Sequence, residues 1–221
     1  MENNDFNVDT EQLKSETSAT VKDTKEALKN LDVKKEVEAT QGFLKDFLKD
    51  PVTHVKKAAD KPELFGMAVF LNLIWIAALF VPVITNVIRW PHHGRNFIEQ
   101  LWHIVSSVIA PTVGIIVFAV LIMALNKGSK KSLTGLITAV TVARIPSIVA
   151  SVIAILTILS TEMFRITTRV SSFASVLSIV LLFFATKEIY NENDDSKFFV
   201  SFAKLYGVYI VARFILSFIG L

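Results

Sequence analysis

LTGLITAVTVARIPSIVASVIAILTILS, residues 133–160, holds a single charged side chain, Arg144, with Pro146 two positions later. A helix needs about 20 residues to cross ~30 Å of hydrocarbon, and this run exceeds that. A soluble protein would have to bury the run on every face and give Arg144 a buried partner. In a bilayer the same arginine costs about 2.5–3.5 kcal/mol on insertion scales, and such residues face the bundle interior or a wet cavity. Arg144 lies ~16 Å along a helix that starts at Leu133, near the midplane. Pro146 supplies no N–H to the carbonyl near Val142, so the sequence predicts a kink beside the guanidinium.

Four further runs share this character, at 64–88, about 97–125, about 170–186 and about 198–220. Together the five predict an all-α integral membrane protein with five transmembrane helices, preceded by a charged cytosolic tail. The links RWPHHGRN (89–96), NKGSKKS (126–132), TEMFRITTR (161–169) and KEIYNENDDSK (187–197) are short. Successive helices are therefore expected to be antiparallel neighbours.

The apolar content, 52% of all residues, is unevenly placed. Residues 1–64 carry 11 lysines and 14 acidic residues, a net of −3, whereas 65–221 carry a net of +6. This divides the chain into a charged tail (1–42, disordered or loosely helical), an amphipathic juxtamembrane segment (43–62) and a transmembrane domain (63–221). The basic residues flank apolar runs, so they report orientation and not nucleic-acid binding. With the N-terminus inside, ten lysines near the membrane face the cytosol, from Lys45 to Lys197, against Arg89, Arg95, Arg165 and Arg169 outside. That imbalance favours a cytoplasmic N-terminus and a C-terminus outside. The polar start MENNDFNVDTEQLK has no apolar core and is not read as a cleavable signal.

In FLKDFLKDP (43–51), Phe43, Leu44, Phe47 and Leu48 are expected to share one helical face. That face suits either the inner leaflet or the mouth of the bundle. Residues 21–42 alternate in charge with a thin apolar stripe, as a solvated tether does.

Within the runs, Arg213 is a second buried cation and Glu99 the only acid. Glu99 and His103 are four residues apart and share a helical face. Glu99, His103, Arg144 and Arg213 form the candidate intramembrane polar cluster, with Arg213–Glu99 the simplest neutralising pair. The structural alternative is a fold-specifying network without a ligand. Gly135, Ala139, Ala143, Ser147 and Ser151 recur every four positions as a ridge for close helix packing, within the bundle or as a homo-oligomer seam.

The chain has no cysteine, which excludes disulfides and thiolate metal sites. It has no G-x-S-x-G elbow, Walker A loop or H-E-x-x-H. Adjacent His92 and His93 sit between arginines, and NENDD (191–195) lacks the spacing of a calcium loop. No metal, cofactor or enzymatic activity is expected.

The tail, the Asp50–Pro51 step and five helices resemble the Yip family of multi-pass membrane proteins, its bacterial branch in particular. The closest local match is NKGSKKSLTGLITAVTVARIPSIVASVIAIL (126–156), through Gly128, Ser132, Gly135 and Ile145–Pro146. The resemblance covers about residues 43–220. It implies a non-enzymatic protein of the bacterial cell membrane that organises the bilayer or binds a protein partner through its tail. The Asp-Leu-Tyr-Gly-Pro motif of the eukaryotic relatives, which bind small GTPases, is absent. The residues alone leave a second reading open, a small transporter or channel subunit built on the polar cluster.

Overall fold

The computed structural model describes residues 10–89, 97–126, 131–158 and 161–218. These residues are all helical or connecting, with no strand among them. Three helices precede the apolar region: α1 (Thr10–Lys29), α2 (Val33–Lys49) and α3 (Pro51–Lys57), followed by a 3-10 turn at Ala58–Asp60. The bundle comprises α4 (Leu64–Arg89), α5 (Phe97–Leu125), α6 (Leu133–Ala143), α7 (Ile145–Ala154), α8 (Thr161–Tyr190) and α9 (Asp195–Phe218).

Local chemistry sets these boundaries. The Asp32 carboxylate accepts from the N–H groups of Lys34 and Lys35 at 3.0 and 3.2 Å and caps α2. Asp50 ends α2 and caps α3, accepting from Thr53 N–H at 3.1 Å, while Pro51 occupies the first turn. The hydrogen bonds from Thr53 hold the Asp50 carboxyl below the usual range, so the cap is ionised at neutral pH. Ser132 caps α6 by accepting from Gly135 N–H at 3.2 Å. Asn191 turns the chain from α8 to α9 with a φ of 50°, and Asp194 accepts from Ser196 and Lys197 to start α9.

Segments Leu64–Val81, Arg165–Tyr190 and Asp195–Ile215 are each long and apolar enough to cross a membrane. Helices α6 and α7 add a fourth when taken as one span bent by 53°. The described apolar part of α5 is Ile109–Leu125. Helix α8 starts at Thr161, so all of TEMFRITTR, expected to be a link, is its first turns. The α6–α7 unit packs against both α4 and α8, and α9 leans on α5. Phe118, Ile122, Leu136, Val140, Leu181 and Leu205 form the fully buried centre. Outward faces are apolar too: Phe173 and Phe199 are 71% and 63% exposed. In water such faces would drive aggregation; in hydrocarbon they are the natural surface. Hydroxyls inside the helices bond back to carbonyls one turn earlier, as Thr138 does to Thr134 at 2.8 Å and Thr186 to Leu182 at 2.7 Å.

The tail differs from the sequence expectation. Residues 10–29 form a helix that packs against α4 and α6 instead of a loose tether. Its inward positions are Leu13, Glu16, Thr20, Thr24 and Ala27. Glu16 accepts from the Leu133 N–H at 3.1 Å, adding a negative charge to the N-terminus of α6. Glu16→Ala should free α1 at a cost on the order of 1 kcal/mol, read as faster amide exchange over residues 10–29 with the bundle unchanged.

The juxtamembrane segment packs on the bundle. Phe47 is buried, Phe43 and Leu44 lie against the core, and Val55 of α3 is fully buried. Leu48 departs from the expected shared face, at 79% exposure. Residue 48 lies about 100° round the helix from 47, and the bundle covers only the Phe43–Phe47 side. Lys131 pairs with Asp60, Lys56 with Glu188 at 3.6 Å, and Lys187 with Asp195. These pairs gather at one end of the bundle, where α4, α6 and α9 begin and α5 and α8 end.

Candidate functional site: the break at Arg144

Arg144 is the residue between α6 and α7, with φ −92° and ψ 2°. Its N–H still bonds to the carbonyls of Val140 and Thr141, at 3.2 and 3.0 Å. The Arg144 N–H is therefore kept through the bend, whereas Pro146 has none to give and the Ser147 N–H turns to Ser178. Helix α4 clamps both sides of the bend. Asn72 donates to Thr141 Oγ1 at 2.9 Å before it, and Trp75 Nε1 donates to Ser151 Oγ at 3.1 Å after it. Between these bonds the Arg144 guanidinium lies over the Trp75 ring, 5.0 Å from its centroid. A desolvated cation–π contact of this type is worth about 2 kcal/mol. Helix α8 closes the opposite side through Ser178, which lies 2.8 Å from Ser147 Oγ and accepts from Ser147 N–H at 3.3 Å.

The guanidinium borders a cavity of ≈130 Å³, whose walls include Ser147, Ser178, Tyr206, Tyr209 and Arg213. Gly114 on α5 admits the Tyr209 ring: a Cβ there would lie 2.9 Å from the phenol oxygen. Phe118 meets Tyr209 edge-on with centroids 5.1 Å apart.

Two members of the predicted cluster, Arg144 and Arg213, thus come together, with Arg213 exposed on the flank. Glu99 does not join them. Gly114 beside Tyr209, and Phe118 beside both Tyr206 and Tyr209, set α5 and α9 antiparallel. That register puts Arg213 level with about residue 110, and Glu99 ~16 Å further along α5. Glu99 is exposed near the start of α5. The expected Arg213–Glu99 pair is corrected accordingly. The His103 side chain lies outside the described residues.

The ridge is used within the protomer. Gly135, Ala139 and Ala143 are buried on α6, whereas Ser147 and Ser151, beyond the bend, make polar contacts to α8 and α4. At Gly135 a Cβ would lie 2.5 Å from the Ala59 carbonyl oxygen, so α6 and the 3-10 turn touch backbone to backbone. Trp75 is a packing residue, 5% exposed, and also holds the arginine. Tyr206 and Tyr209 join the site with one faint sequence signal, the four-residue spacing that puts Tyr209 and Arg213 on one face of α9.

A second cavity, of ≈550 Å³, lies beneath α1. Leu13, Thr17 and Thr24 roof it, and Val69, Ile116 and Ile137 are among its walls. The Thr20 hydroxyl is buried at its edge without a partner.

An all-helical bundle with these apolar spans and outward faces defines a multi-pass integral membrane protein. The Yip1 domain profile matches residues 45–219, and the chain belongs to that family. No curated protein and no solved structure matches the chain significantly.

Proposed function

We propose that this chain is a non-enzymatic, five-span protein of the bacterial cell membrane that organises the bilayer or binds partners through its cytosolic tail. In this reading α4, α5, α6–α7, α8 and α9 each cross once, with the N-terminus inside and the C-terminus outside. The gathering of Lys56, Lys131 and Lys187 at the α1–α3 end supports that orientation.

The observation that carries the reading is the manner of α1 docking. Apart from Leu13 its inward face is small or polar, it leaves Thr20 unpartnered, and it bridges an apolar gap. A buried unpaired hydroxyl costs ~1–3 kcal/mol, so α1 is held weakly. Its charged outer face stays available to a partner, and release would open the gap. Affinity capture with the full chain and with residues 51–221 tests this; identical partners from both would refute recruitment by the tail.

The second reading, a small transporter or channel subunit, draws support from the two arginines in one polar cavity. Arg144→Leu separates the two. Replacing a buried ion by a well-packed apolar group is often neutral or stabilising by about 1–4 kcal/mol, so the variant should express and insert normally. Unchanged partner capture would favour organisation; lost solute flux in reconstituted vesicles would favour transport.

A further inference from the structure

We infer that the cavity between Arg144 and Arg213 is a binding site for a phosphate-type oxyanion. The first argument is charge. Arg144 and Arg213 both line one ≈130 Å³ space. Among the described residues no carboxylate lines that space and no ion pair involves either arginine. Two like charges beside one cavity repel, and no described lining residue carries a negative charge to offset them.

The second argument is the balance of donors and acceptors. Each guanidinium presents five N–H donors and no acceptor. Trp75 covers one face of Arg144 but accepts no conventional hydrogen bond from it. The hydroxyls of Ser147 and Ser178 already engage each other. Tyr206 and Tyr209 bring two phenol groups, and the Tyr209 oxygen accepts a hydrogen bond from the Arg144 guanidinium while its own O–H remains a donor. With ten guanidinium N–H donors facing a few hydroxyl oxygens, donors outnumber acceptors among the described lining residues, which suits a ligand whose oxygens all accept and whose charge is negative. Forked guanidinium groups match such oxyanions bidentately.

The third argument is access. Arg213 stands five residues before Phe218, the end of α9, or ~8 Å from that end. It is exposed on the flank, whereas Arg144 lies deeper against Trp75. An anion can therefore enter past Arg213 and settle against Arg144. The oxyanion is either free phosphate or the phosphate of an anionic lipid, and the two share the same recognition chemistry. The inference is independent of the tail, so loss of partner capture by residues 51–221 would leave it untouched.

Trp75 serves as the reporter, since Arg144 rests on its ring. The full chain carrying Trp90→Phe and Trp102→Phe, purified in a phosphate-free maltoside detergent, leaves Trp75 as the sole indole. Inorganic phosphate is titrated against sodium chloride at equal ionic strength, and phosphatidylglycerol is added in a parallel arm followed by native mass spectrometry. A saturable change in Trp75 emission with phosphate assigns a free anion. A change with phosphatidylglycerol alone, with retained lipid mass, assigns a lipid phosphate. Either supports the site, provided Arg213→Gln raises the half-saturation concentration at least tenfold and Arg213→Lys restores part of it. Should Arg213→Gln fail to fold, judged by circular dichroism, the Arg213→Lys titration carries the test alone, with weakened binding expected. No saturable response to either probe, or arginine variants that titrate like the parent, would overturn the assignment.

Discussion

Trp75→Ala should destabilise the bundle by about 3 kcal/mol or more, the lower end of the range for removing a buried large aromatic. The lower end applies because lipid solvates apolar groups as well as a core does, which leaves the cavity and lost contacts as the main cost. Three contacts disappear together: packing between α4 and the bend, the Nε1–H bond to Ser151, and the π face under Arg144. The last leaves a buried cation with less compensation than before. For a chain of this size about 3 kcal/mol corresponds to a fall of roughly 6–12 °C in melting temperature, measurable by thermal unfolding in detergent. Trp75→Phe keeps most of the volume and a weaker ring face, and should cost less than about 1.5 kcal/mol. Equal losses from both variants would mean that the indole N–H, and not packing, holds the bend.

Gly135→Val should detach the juxtamembrane turn from the bundle. A Cβ at Gly135 would sit 2.5 Å from the Ala59 carbonyl oxygen and 3.4 Å from its carbon, and neither belongs to a flexible side chain. The turn cannot easily retreat, because Ala58 and Val55 are fully buried and Asp60 is paired with Lys131. Overpacking of this kind costs about 1–3 kcal/mol. Gly135→Ala would recover up to ~1 kcal/mol from helix propensity, whereas valine recovers less and adds two methyl groups. The valine variant should therefore raise amide exchange over residues 51–60 while α8 and α9 remain protected. Unchanged exchange there would show that α6 can slide away from the turn without loss.

The all-helical membrane bundle is legible in the sequence because the apolar runs approach or exceed the length a membrane needs. The bend is legible too, because Pro146 can be placed from its chemistry alone. The docking of α1 was hidden. Its inward face, Leu13–Glu16–Thr20–Thr24–Ala27, has helical spacing but too little apolar character to register as an amphipathic stripe. Depth counted from the ends of the apolar runs does not fix which residues of α5 and α9 lie level, so Arg213 and Glu99 look paired in the sequence alone. The close approach of Tyr209 to Gly114 sets the α5–α9 register, and no one-dimensional pattern reports such a contact. Leu48 was misplaced because four apolar residues at 43, 44, 47 and 48 cover a wide arc, of which the bundle needs only part. Trp75 carried no signal, since a tryptophan in an apolar run looks the same whether it faces lipid or clamps an arginine.

The claim that five spans cross a bilayer is tested most directly by single-cysteine accessibility, for which the cysteine-free chain is already suited. Gly94→Cys, Asn193→Cys and Val176→Cys would be made one at a time and exposed in intact cells and inverted vesicles to a membrane-impermeant maleimide. The five-span account predicts labelling at 94 from the outside only and at 193 from the inside only. It also predicts no labelling at 176 from either side, although that side chain is 61% exposed on the bundle. Residues 94 and 193 labelled from the same side, or 176 labelled as readily as 193, would contradict it.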